Sequence, residues 1–210
     1  MGRPREHDDA TAQALLAAGE RLVDEHGVAA LSARRLASEV GTTTRAVYSL
    51  FGSMDALVAA LGSHAFDLLG EAVASLPKTK NPRADLVAAG LAFRAFVCAH
   101  PSLFQIAIQR TAVAPELVAR FRPAAQDAMV QLERRVTRLE PRGDLGQRSV
   151  HGAAMQFHAL CEGLAALELR GVIAADEAEE FWRSALSALV AGFATPPARR
   201  RPLGQGDSRH

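Results

Sequence analysis

The stretch Leu31–Leu57, LSARRLASEVGTTTRAVYSLFGSMDAL, leaves this chain few ways to fold, because it reads as two short helices joined by a glycine turn. Ser32 is a good N-cap, and Leu36, Ala37 and Val40 place apolar groups on one face of the helix that follows it. Gly41 ends that helix, since glycine takes the left-handed backbone that lets a chain leave one helix and start another almost at once. Thr43 caps the next helix, in which Ala46, Val47, Leu50 and Phe51 form the inward stripe. Thr43, Thr44, Arg45, Tyr48 and Ser49 are left pointing outward.

That outward set is short, polar and hydrogen-bonding, which suits a helix whose first half enters a DNA major groove. Arginine reaches guanine bidentately, threonine meets a thymine methyl or a phosphate, and tyrosine holds the backbone. An ordinary helical hairpin is the alternative, but Thr42, Thr43 and Thr44 are weak helix formers and gain nothing for stability on an exposed face.

The segment from Ala12 to Leu57 resembles the DNA-binding domain of the TetR family of transcriptional regulators. The resemblance rests on an amphipathic first helix, the Gly-Val-x-x-Leu-Ser linker at Gly27–Ser32, the two short helices, and Val47-Tyr48-x-x-Phe51-Gly-Ser at the exit. Met54 stands where the family often has lysine, Leu50 where it often has histidine or tyrosine, and Thr42 where it usually has valine. The first two departures remove phosphate partners, so anchoring falls on Tyr48, the caps Ser32 and Thr43, and an N-terminal arm carrying Arg3 and Arg5. Arg34 completes the expected contact set to double-stranded DNA, with Arg35 an alternative at the same place.

The net charge of +1 is low for a nucleic-acid binder. In the first 55 residues Glu6, Asp8, Asp9, Glu20, Asp24, Glu25, Glu39 and Asp55 outnumber Arg3, Arg5, Arg21, Arg34, Arg35 and Arg45. What counts is the charge of one face, so moderate and strongly salt-sensitive binding is expected.

At 210 residues and 49% hydrophobic, the chain can bury a substantial core, and a cytoplasmic protein is expected, with no secretory leader and no run apolar enough to span a membrane. Cys98 and Cys161 are too few and too far apart for a disulfide framework or zinc finger, and both sit in apolar helical patterns that predict buried thiols. There is no glycine-rich phosphate loop, nucleophile elbow or zincin histidine pair, so neither an enzyme nor a cofactor is implied.

The rest of the pattern is helical, and the fold class is all-α: a three-helix DNA-binding domain over residues 1–56 and a helical effector-binding and dimerisation domain over residues 57–194. Helices are expected at Ala12–His26, Ser53–Ser75, Arg83–Ala99, Pro101–Arg110, Pro115–Glu140 with a break at Pro123, Asp144–Arg170 and Asp176–Ala194, with PKTKNP at Pro77–Pro82 as the linker. Residues 195–210, rich in proline, glycine and arginine, read as a disordered tail.

On the last two long helices Gly152, Ala159, Gly163 and Ala166 form one stripe of small residues, and Ala178, Ala185, Ala188 and Gly192 another. Such stripes permit close helix contact, within the chain or across a dimer. A lone helix-turn-helix reads too few bases to be selective, and the family resemblance implies a homodimer built on these helices.

Phe93, Phe96, Phe104, Ile108, Phe121, Met129 and Met155 supply aromatic and flexible apolar surface that either fills a core or lines a pocket for an unknown small-molecule effector. His100-Pro101-x-Leu103-Phe104 and Met155–Val172 resemble a C-terminal subtype named for Trp, His and Gly, with His158 and Glu162 at the first two of those positions and Gly163 retained. His158, Cys161 and Glu162 share one helical face, which allows metal ligation, a satisfied buried pair, or polar groups orienting an apolar ligand; no metal is expected. The function these features predict is sequence-specific transcriptional regulation, as a ligand-responsive homodimeric repressor that releases a palindromic operator when an apolar effector binds. The alternative is a ligand-independent or non-specific helical DNA-binding scaffold.

Overall fold

Capping residues set the starts of the short helices. In the computed structural model, which describes residues 3–109 and 114–194 with side chains from Asp8 onward, the Ser32 hydroxyl accepts from the Arg35 N–H at 3.3 Å and the Thr43 hydroxyl from the Ala46 N–H at 3.1 Å. The Ser53 hydroxyl likewise accepts from the Ala56 N–H at 3.0 Å. The described elements are α1 (Arg3–His26), α2 (Ala33–Val40), α3 (Thr44–Phe51), α4 (Met54–Ser75), α5 (Pro82–Ala99), α6 (Pro101–Ala107), α7 (Pro115–Thr137), α8 (Val150–Leu169) and α9 (Ala178–Gly192), with short 3-10 turns at Val28–Ala30 and Glu140–Arg142. The fold is all-α.

Four expectations change. The first helix starts at Arg3 and not Ala12, so Arg3 and Arg5 lie within α1 and form no separate arm; Pro4 is tolerated in a first turn, and the acids that follow suit a helix N-terminus. Pro123 does not break α7. Proline there removes a bond to the Ala119 carbonyl, and both residues lie on the exposed face, where water replaces it. Helix α8 begins at Val150 and not Asp144, because Gly143 (φ 69°) and Gly146 (φ 58°) hold left-handed backbone that a continuous helix excludes. Finally, Met54–Ser75 is long and apolar enough to cross a membrane, against the sequence reading. Its apolarity has another cause: α4 is the central helix, packed against α1, α3, α5, α6 and α7, with Leu57 and Leu61 fully buried.

Helix α5 turns by 106° into α6 at His100. Helix α7 lies along α4, and its buried Arg135 donates to the carbonyls of Val73 (2.9 Å from Nε), Leu76 (2.7 Å) and Pro77 (3.3 Å). Arg135 therefore serves as the C-terminal cap of α4, whose last carbonyls have no intrahelical partner. The α4–α5 linker is pinned by Asp85, which accepts from the Thr79 N–H (2.8 Å), the Thr79 hydroxyl (2.7 Å) and the Arg138 guanidinium. The expected tail, residues 195–210, and Arg110 at the expected end of α6 lie outside the described residues.

Candidate DNA-reading face and effector cavity

Helix α3 packs through Val47, which is 1% exposed, with Ala46, Leu50 and Phe51 partly buried beside it. Thr43, Thr44, Arg45, Tyr48 and Ser49 are all exposed, Tyr48 by 49%. On α2, Leu36 and Ala37 face the core while Arg34 and Arg35 face outward with the Ser32 cap. The turn between the helices is fixed by Gly41 at φ 71°, whose N–H bonds back to α2, and α3 ends at Gly52 with φ 78°. The exposed set thus forms one polar surface on a rigid two-helix unit, the form a major groove accepts.

Among the described residues this unit meets the remainder of the chain chiefly through α4 and α6. Helix α4 contacts both α1 and α3. On the other side, Glu20 of α1 binds the His100 imidazole at the α5–α6 corner, and Asp24 accepts from the Ser102 N–H in the first turn of α6 at 3.3 Å. Asp24 thereby satisfies an orphan donor at the start of α6 from a different element. The histidine was legible only as part of a family-like motif; its partner, 80 residues away in the chain, left no local signal.

Between α4, α5, α7 and α8 lies a cavity of about 560 Å³, within the size range of small-molecule sites. Seven residues singled out from the sequence line it: Phe93, Ile108, Met129, Met155, His158, Cys161 and Glu162. Three do not. Phe104 is fully buried, edge-on to Phe93 at 6.1 Å; Phe121 packs on Phe66 at 6.2 Å; Phe96 stacks on His100 at 5.4 Å. These three are core, because an aromatic on a helix between two packed layers can face away from the cavity as readily as into it.

Sequence reasoning missed Phe66, Leu69 and Val73 of α4, Ala89, Ala107, Gln109, Ala125, Ala128, Leu132 and Phe157. The α7 members continue the face of Met129 at helical spacing, so that stripe was available; α4 is apolar on too many sides for its cavity face to stand out.

His158 is 22% exposed, with Nε2 3.8 Å from Glu162 and its ring edge-on to Phe93 at 6.0 Å. Burial pushes its pKa below the ordinary histidine value, opposed by the Glu162 charge. Cys161 is buried and burial pushes its thiol far up, which removes thiolate chemistry from the cavity. Among the described residues no group of three histidine, cysteine or acidic side chains is placed to hold a metal. Cys98, expected to be buried, is exposed, near the Arg94–Glu168 pair. Glu168 accepts two bonds from the Arg94 Nε and Nη2 and one from the Trp182 indole at 2.8 Å, tying α5, α8 and α9 together.

On α8 Ala159 and Gly163 are exposed and Gly152 and Ala166 half-buried; on α9 Ala188 and Gly192 are exposed and Ala185 half-buried. Ala178 is fully buried within its own chain, so it has no surface for a partner and leaves the stripe. Met155 and Phe181, 43% and 51% exposed, flank the small residues, with Leu169 at the end of α8 and Val172 in the turn beyond it.

Residues 15–61 match the family described as bacterial regulatory proteins, tetR family, and residues 86–189 match the tetracyclin repressor-like C-terminal domain. The latter description does not name a Trp-His-Gly subtype. No curated protein matches the chain. Among solved structures, a protein of unknown function from Rhodococcus sp. RHA1 is 27% identical with a TM-score of 0.76, covering 88% of this chain and 95% of its own. The TetR family regulator PfmR from Thermus thermophilus is 19% identical with a TM-score of 0.65 over 84% of this chain and 96% of its own. AibR, solved in complex with isovaleryl coenzyme A and operator DNA, is 18% identical with a TM-score of 0.64 over 86% of this chain and 98% of its own. With both of its halves matched, the chain belongs to the TetR family of transcriptional regulators, all-α proteins with an N-terminal DNA-binding helix-turn-helix and a C-terminal ligand-binding domain.

Proposed function

We propose that the chain is a homodimeric, ligand-responsive repressor in which residues 1–56 read a palindromic operator and residues 57–194 carry the effector cavity and the dimer face. The observation that carries this reading is shared architecture: the cavity is walled by α4 and by the end of α6, the same two helices that abut the DNA-reading unit. A ligand that pushes on Phe66, Leu69 or Ile108 therefore displaces elements that hold α1 and α3. For release, the effector must bind the DNA-incompetent arrangement more tightly, with a coupling of typically about 1–3 kcal/mol.

Dimerisation follows from the reading requirement and from the exposed stripe. One α3 contacts a single half-site, while two copies related by a two-fold axis read half-sites about one helical turn apart. The exposed Ala159, Gly163, Ala188 and Gly192 allow backbones to approach, and Met155 and Phe181 add apolar area around them. Such a protein works in the cytoplasm, where its DNA is, and needs no cofactor. AibR, of the same fold, is an instance that holds an acyl-coenzyme A and operator DNA in one complex.

The test is selection of binding sites from a randomised duplex pool by the purified protein at near-physiological salt. A palindromic consensus is the expected result. Recovery of no motif, with binding that vanishes as salt rises, would overturn the reading in favour of a non-specific DNA-binding scaffold.

A further inference from the structure

The chemistry of the cavity narrows its occupant, a step that rests on the cavity being the effector site. Most of the wall is apolar: Phe66 and Leu69 from α4, Phe93 from α5, Met129 and Leu132 from α7. Such a wall favours a hydrocarbon or ring body over anything strongly hydrated. Among the described lining residues the titratable groups all lie on α8, where His158 faces Glu162 across 3.8 Å with the Cys161 thiol beside them.

Among the described lining residues Glu162 is the only carboxylate, and none is lysine or arginine. The neighbouring imidazole does not balance it, because burial holds His158 in its uncharged form at neutral pH. Glu162 keeps 39% of its side chain exposed, so its charge is solvated until a ligand covers it. Three kinds of ligand head then fare differently. A carboxylate or phosphoryl head would be buried against a like charge with no described counter-ion. An uncharged head would cover Glu162 and leave its charge unmatched. A cationic head replaces the lost water with an opposite charge and lies on the side of the cavity where the Phe93 ring meets His158 at 6.0 Å.

We propose that the cavity takes a lipophilic cation, an apolar body bearing a protonated amine or quaternary ammonium head, with Glu162 as its counter-charge and the α4 and α7 walls holding its body.

Three compounds with one tail and three heads test this: dodecyltrimethylammonium, dodecanol and dodecanoate, each titrated calorimetrically below its micelle or solubility limit into the purified full-length protein. The expected result is that the ammonium binds at least about tenfold more tightly than the carboxylate, and that Glu162→Gln, which keeps the size of the side chain, brings the two to within about twofold. Met129→Trp, which pushes a bulkier side chain into the cavity from the α7 wall, is expected to weaken binding of the ammonium and so separates occupancy from adsorption at the surface. Preferred binding of dodecanoate, or an ammonium preference that survives Glu162→Gln, would overturn the charge assignment while leaving the cavity as an effector site. Binding of none of the three, or binding indifferent to Met129→Trp, would overturn the effector-site reading together with it.

Discussion

Arg45 stands in the first turn of α3 on the exposed face, one turn from Tyr48, and the proposed reading gives the two side chains separable jobs. On that reading a guanidinium there would meet a base edge, and a phenol one turn later the phosphates. Arg45→Ala is expected to relax base preference at one position of each half-site, at a cost of about 1–3 kcal/mol for the preferred sequence. Tyr48→Phe is expected to weaken all sequences alike. Competition binding against single-base operator variants distinguishes them, and an unchanged preference profile in Arg45→Ala would assign base reading elsewhere. In the cavity, the lowered pKa of His158 carries a pH dependence whose sign is fixed. The unfolded chain takes up this proton near the ordinary histidine value of about 6.5, and the folded chain only at lower pH. Below that value the unfolded state binds more protons, so the contribution of His158 to stability falls as pH drops from about 6.5 toward the folded pKa and is level above it. Denaturant unfolding of the protein and of His158→Leu between neutral and mildly acidic pH is expected to show a shallower acid loss in the variant.

At the scale of elements, two glycine substitutions look alike on paper and fail for different reasons. A Cβ at Gly41 meets nothing within 4 Å, so Gly41→Ala costs only the left-handed backbone at φ 71°, about 1 kcal/mol or slightly more. A Cβ at Gly90 would sit 2.5 Å from Leu186 Cδ1 and 3.0 Å from the tip of Phe157, because α5 runs hard against α9 and α8 there. Gly90→Ala is expected to destabilise by about 1–3 kcal/mol through overpacking. Because Leu186 is itself fully buried, the relief is read in a double-mutant cycle: the cost of Gly90→Ala with Leu186→Ala should fall short of the sum of the two single costs, whereas Gly41→Ala and Leu186→Ala should add; denaturant midpoints measure both. The contrast also marks what the sequence could tell. Gly41, with its flanking caps Ser32 and Thr43, was legible because caps and turns are settled within a few residues. Gly90 was not, since its requirement comes from residues about 70 and 100 positions away. The same division separates Met129, readable as part of an α7 stripe, from Phe66 and Leu69 on α4. It also accounts for Phe104 and Phe121, whose aromatic character gave no sign of which side of their helix faces open space.

Across the whole molecule, two routes run from the cavity to the DNA-reading unit, one through α4 and one through α6. The second is the narrower and so the easier to cut. Helix α6 has Ile106 and Ala107 fully buried, Ile108 follows at the cavity wall, and its other end is held to α1 by Asp24 at the Ser102 N–H and by Glu20 at His100. A buried segment of one and a half to two turns transmits displacement because its packing resists continuous deformation. The double variant Glu20→Ala/Asp24→Ala removes both holds without touching the DNA face or the cavity lining. It is expected to lose about 1–2 kcal/mol of stability, the worth of two partly exposed polar contacts, and to keep operator affinity within about threefold, since α4 still seats α1 and α3. The response to effector should fall: a ligand that lowers operator affinity by about tenfold in the parent protein, as coupling of this size allows, should lower it by no more than about threefold in the variant. Fluorescence anisotropy of operator DNA, titrated with and without ligand, reads both quantities at once. A variant that keeps the full response would place the signal in α4 alone, and one that loses operator affinity without ligand would make the α1–α6 contacts part of the DNA-competent state itself.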